Sequence, residues 1–186
     1  MKTYTIIAGV DGCGKSSLLG VLSTEIDNIG KIVDIEKTIS CIGNVIENDE
    51  KAITVINEYL EKGICFTQET TLSCKKILNN IKRAIKKDYY IRLYYVGLNS
   101  MEESLLRIEN YVKKGGHNLD IKAVENQYLK RFDDLMLILP YCNEATFYDN
   151  DNGFVAVAKF KNGEFKPIGN IQPKWLIELI KMMNII

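Results

Sequence analysis

Apolar positions along the chain follow two alternating rhythms. The runs TYTIIAGV (3–10), KIVDI (31–35), ICFTQ (64–68), YYIRLYYV (89–96) and EATFYD (144–149) are short, rich in β-branched and aromatic residues, and predict strands. Between most of them, apolar residues recur three and four apart. After YYIRLYYVGL, the residues Met101, Leu105, Ile108 and Val112 form the stripe of a helix packed on one side. Ser100 and Glu103 stand at capping-box spacing ahead of it and mark its start. Ile121, Val124, Tyr128, Phe132, Leu135 and Leu139 repeat the stripe in the next helix.

This strand–helix succession predicts an α/β fold, a parallel sheet with helices on both faces. The tail changes rhythm. FVAVAKF and EFKPI flank Asn162-Gly163, a pair suited to a hairpin turn with positive φ, and PKWLIELIKMM predicts a closing helix with Pro173 in its first turn. With no linker-like stretch and no repeat in 186 residues, the pattern predicts a single domain over 1–186.

Charge narrows the chemistry. The 24 basic and 24 acidic residues balance, which argues against a broad positive surface for nucleic acid, so an anion must be met by a local site. The five cysteines, Cys13, Cys41, Cys65, Cys74 and Cys142, show no CxxC spacing and are read as reduced thiols of a cytoplasmic protein, not as a disulfide or zinc framework. The N-terminal apolar run is too short for a signal peptide core or a membrane span, so no membrane association is expected.

The local site is GVDGCGKSSL, Gly9 to Leu18. Gly9-Val10-Asp11-Gly12-Cys13-Gly14-Lys15-Ser16 matches GxxxxGK[ST] in full, after a strand and at the head of a helix, with Ser17 next in the helical turn. Such a loop turns successive backbone N–H groups toward the β-phosphate, and the helix N-terminus adds to the attraction. Lys15 is then expected to bridge the β- and γ-phosphates of ATP, and the Ser16 hydroxyl to bind Mg²⁺. Asp11 and Cys13 occupy variable positions of the loop. Asp11 puts a negative charge beside a site for anions, a handicap unless its side chain turns outward. No NKxD-type base reader occurs, which disfavours a GTPase. The polar run FTQETTLS (66–73) after the third strand favours a small-molecule kinase.

Taken in order, GxxGxGKSS, FTQETTLS, YYIRLYYVGLNSMEESLLRI, KKGGHN and LPYCNEATFYDN resemble the zeta-toxin family of P-loop kinases, in particular its short bacterial members, over nearly the whole chain. The resemblance implies phosphoryl transfer from ATP to a sugar hydroxyl, with UDP-N-acetylglucosamine the substrate of the toxin members. It implies nucleotide binding by Lys15 and Ser16, and substrate binding by Glu69, Thr70 and Thr71. An acidic general base follows the second strand: Glu36 by register, Asp34 as second choice. A neutralising antitoxin-type partner is also implied by analogy. Each residue has a plainer reading beside it. The Glu69-Thr70-Thr71 segment suits a helix cap, and Asp34 and Glu36 suit a solvated strand end.

The chain departs from the family where arginines act on the migrating phosphate. Tyr111 stands at one such position, and Asn126-Gln127 at an arginine pair in the next helix. An arginine in that role is typically worth ~10³ to 10⁵ in rate, so the departure bears on turnover more than on nucleotide binding. Arg107 lies four residues before Tyr111 and Arg131 four after Gln127, each one helical turn away, and either is a candidate replacement in a helical lid over 101–138. Solvated charges on a helix exterior are the alternative. His117, in a Gly-Gly-His turn, is read as stabilising that turn. Two functions follow: an ATP- and Mg²⁺-dependent kinase acting on a UDP-sugar, or a nucleotide-binding protein of the same fold whose transfer activity has decayed. A kinase for polynucleotide ends gains no help from the balanced charge.

Overall fold

The computed structural model describes residues 1–26, 28–33, 45–72, 75–115 and 120–183, with the side chains of 45–51 and of Lys75 outside the description. The elements are β1 (Thr3–Ala8), α1 (Lys15–Glu25), β2 (Lys31–Val33), α2 (Val45–Lys62), β3 (Phe66–Thr70) and α3 (Lys75–Ile85). They continue as β4 (Tyr90–Gly97), α4 (Met101–Lys113), α5 (Ile121–Ile138), a 3₁₀ turn (Leu139–Tyr141), β5 (Glu144–Asp149), β6 (Val155–Lys161), β7 (Glu164–Pro167) and α6 (Lys174–Met183).

The strands form one seven-stranded sheet in the order β2-β3-β1-β4-β5-β6-β7. The first five are parallel, as the strand–helix rhythm predicts. The hairpin β6–β7 then extends the same sheet antiparallel to β5, so the whole is mixed. Its turn is the expected one, with Asn162 at φ 53° and Gly163 at φ 80°. The third strand runs two residues later than ICFTQ suggests, which carries Glu69 and Thr70 into the sheet.

Alternation along β1 sorts the core into two layers. Tyr4, Ile6 and Ala8 pack with Ile56 and Leu60 of α2, Ile81 of α3, Leu135 of α5 and Trp175 of α6. Ile7 faces the other way, onto Leu18, Leu19 and Leu22 of α1. Helices therefore cover both faces, and β1 is buried along its whole length. Trp175, fully buried, donates from Nε1 to Asp149 Oδ1 at 2.8 Å, which ties α6 to the end of β5. The indole lies so close to Gly97 that an added Cβ there would stand 2.2 Å from it.

The two helices at the C-terminal ends of the strands are built as their stripes predict, with one exception. Ser100 caps α4 by accepting from Glu103 N at 3.2 Å, and Asp120 caps α5 by accepting from Lys122 N at 3.0 Å. On α5, Val124, Phe132, Leu135 and then Leu139 are buried, but Ile121 is exposed at the helix start.

Candidate functional site

The GxxxxGKS loop lies between the end of β1 and the start of α1, at the C-terminal edge of the parallel strands where ligands of open α/β sheets are bound. Gly14 precedes α1 in a left-handed conformation (φ 100°) and offers no side chain to cap it, so the first-turn N–H groups of the helix are left to an incoming anion. Asp11, Gly12, Gly14, Lys15, Ser16 and Ser17 line a cleft of about 290 Å³, whose other walls are Arg107, Ile108 and Tyr111 of α4.

Three contacts fix the loop from outside. Ser104, fully buried on α4, donates to Asp11 O at 2.6 Å. At Gly12 the helix backbone comes so near that an added Cβ would sit 2.7 Å from Ser104 O, and φ is +75°. From beyond β5, Asn150 Nδ2 donates to Cys13 O at 2.9 Å, while Arg107 Nη2 donates to Asn150 O at 2.7 Å and to Glu103. The first half of α4 thus rests on the loop.

Inside the cleft, Lys15 is buried and its Nζ donates to Gly9 O and Val10 O, each at 3.2 Å, and to Asp11 Oδ1 at 3.3 Å. The Asp11 side chain is therefore turned inward, against its lysine. Ser16 Oγ donates to Glu69 Oε2 at 2.9 Å. Glu69 reaches it because β3 pairs with β1 in a register that sets Glu69 beside Ile7, near the strand's C-terminal end. A hydroxyl and a carboxylate are both hard oxygen donors, the set Mg²⁺ takes when phosphates and water supply the remaining ligands. The donors present fit that ion. Among the described residues no cluster of three His, Cys, Asp or Glu forms a dedicated metal cage.

The remaining candidates divide. Thr70 is stitched to the loop through its carbonyl, which accepts from Gly9 N at 3.3 Å, and its hydroxyl accepts from Leu72 N at 3.0 Å, a turn-forming bond. Thr70 and Thr71 are half-buried beside Glu69. Asp34, Glu36 and His117 lie outside the described residues. Arg107 and Tyr111 line the cleft, so Arg107, one turn before Tyr111, is on the cleft side of α4. Arg131 is elsewhere: Nη2 donates to Glu178 Oε2 of α6 at 2.6 Å, Nη1 donates to Tyr128 O at 2.7 Å, and the guanidinium lies over the rings of Tyr128 and Phe132. Asn126 is exposed, and Gln127 is half-buried.

Cys13 carries no chemistry in this setting. It is fully buried, and that burial pushes its thiol up to about 11, so at neutral pH it is a small apolar packing residue. Sequence reasoning did not single out Ser104 or Asn150. Ser104 had a readable signal, a polar residue on the inward face one turn before Ile108. Asn150 had only its place after the strand EATFYD.

No family model matches the chain. Its fold is similar to that of solved structures at low sequence identity. A chain from the PezAT chromosomal toxin–antitoxin system of Streptococcus pneumoniae superposes with a TM-score of 0.64 at 16% identity, covering 100% of this chain and 84% of that one. The AvrRxo1-ORF1:-ORF2 complex with ATP gives a TM-score of 0.65 at 15% identity over 98% of this chain, which spans only 63% of that one. By sequence the chain belongs to one family with an uncharacterized protein of Haemophilus influenzae, 31% identical over 126 residues, 64% of this chain and 88% of that protein.

Proposed function

We propose that the protein is an ATP-dependent kinase that transfers the γ-phosphoryl group to a hydroxyl of a sugar, a UDP-sugar such as UDP-N-acetylglucosamine being the first candidate. The observation that carries this reading is the convergence on one cleft of Lys15, Ser16 bonded to Glu69, and Arg107. In-line phosphoryl transfer asks for positioning and charge stabilisation more than covalent chemistry. The α1 N-terminus and Lys15 hold the phosphates. Ser16 and Glu69 would hold Mg²⁺, which would supply positive charge against the phosphates. Arg107 covers the phosphate side that Tyr111 leaves without a cation. The bond between Glu69 and Ser16 supports assigning Glu69 to the metal in place of the sugar, with Thr70 and Thr71 facing the acceptor and Glu36 or Asp34 orienting its hydroxyl.

The second reading, a nucleotide-binding protein with decayed transfer, is favoured by one specific feature. Arg131 is tied to Glu178 and stacked on two rings, so of the two candidate replacements Arg107 alone lines the cleft. Protein partners are a further proposal. The PezAT system is a toxin–antitoxin pair and AvrRxo1-ORF1 is bound to ORF2, which supports looking for a neutralising partner here.

The test is incubation with Mg-ATP and a panel of UDP-sugars and nucleosides, followed by ³¹P NMR. A new phosphomonoester that disappears in Lys15→Ala supports the kinase. Nucleotide binding by calorimetry without product from any acceptor supports the second reading.

A further inference from the structure

Nothing in the loop's backbone asks for a carboxylate at residue 11. The main-chain carbonyl of Asp11 accepts from Ser104, and the turn itself is made by the glycines around it. Yet the side chain is buried in the anion cradle, with Oδ1 3.3 Å from Lys15 Nζ, and the ammonium is folded back on its own loop, also donating to Gly9 O and Val10 O. The lysine that phosphates must recruit is already engaged by a negative charge.

An incoming polyphosphate has two obstacles to overcome. It must draw Nζ away from a partner where both side chains are largely buried, and a charge-assisted contact there is stronger than at the surface. Once it does, the carboxylate is left buried beside further negative charge, which is unfavourable in its own right. Both effects come from the charge of residue 11 and oppose binding.

Resting on the nucleotide-site reading above, we propose that Asp11 sets the affinity of this site, by holding Lys15 in competition with the ligand's phosphates. It acts through Lys15 and is a positioning residue. The site then closes on a nucleotide only when the ligand's negative charge outweighs that of its own loop.

Calorimetric titration of the intact protein with Mg-ADP and Mg-ATP tests this. Asp11→Asn and Asp11→Ser remove the charge and are expected to tighten both ligands by about tenfold, ~1.4 kcal/mol, with Asp11→Ser available should the amide variant misfold. Asp11→Glu keeps the charge and is expected to stay at or below the wild-type affinity. Unchanged or weaker binding by folded Asn and Ser variants overturns the proposal, as does equal tightening by Asp11→Glu. Absence of binding by the wild type and every variant refutes the nucleotide site itself, and the role of Asp11 with it.

Discussion

Lys15 and Arg107 face the same cleft but are expected to fail differently when removed. Lys15→Ala takes away the ammonium proposed to hold the phosphates and is expected to weaken Mg-ATP by at least tenfold in calorimetry. Arg107→Ala leaves the loop's glycines and α1 in place, so nucleotide affinity changes little while the phosphotransfer rate falls by ~10³. Arg131→Ala is expected to do the reverse. Its guanidinium braces α5 against Glu178 and two aromatic rings, so the variant loses about 1 kcal/mol in urea unfolding and keeps its transfer rate. An Arg131→Ala variant with wild-type stability and no transfer would reverse that assignment. Glu69 stood out as a candidate in FTQETTLS, but its partner Ser16 was not legible. Which carboxylate meets Ser16 depends on the register between β3 and β1, and register is a tertiary choice.

At the scale of elements, α4 and the loop behave as one unit. The stripe and cap of α4 were readable because a helix writes its period into the chain, and Ser100 and Ile108 stand as that period requires. Its attachment to the loop was not readable. Ser104 and Gly12 are far apart in sequence, and only the crossing of helix over loop makes the one a donor and the other a necessary glycine. Gly12→Ala is accordingly expected to push α4 off the loop. Amide exchange in residues 101–108 should accelerate and nucleotide affinity should fall, whereas Gly20→Ala, where a Cβ meets nothing, serves as the neutral control.

For the molecule as a whole, the buried titratable groups predict how it fails in alkali. Burial pushes Cys13 up to about 11 and Cys142 up to about 12, and it raises Tyr4 and Tyr95 as well. The folded chain keeps these protons after the unfolded chain has released its thiol protons near ~8.5. The unfolded state then binds fewer protons, so stability is fully present below that point and is lost as pH rises toward 11. Urea midpoints should decline steadily from about pH 9 upward, and a Cys13→Ala, Cys142→Ala pair should flatten the decline. Alkylation at neutral pH should spare Cys13 in the folded protein and label half-exposed Cys65.

The chain's own pattern determined the strands and helices, the hairpin turn at Asn162-Gly163 and the GxxxxGKS loop, because each depends on residues a few positions apart. Tertiary structure decided what the loop faces. It put Arg107 and not Arg131 beside the cleft, set Glu69 against Ser16, and turned Asp11 inward onto Lys15. Those outcomes rest on strand register and helix crossing, which bring together residues dozens of positions apart and leave no period in the sequence to read.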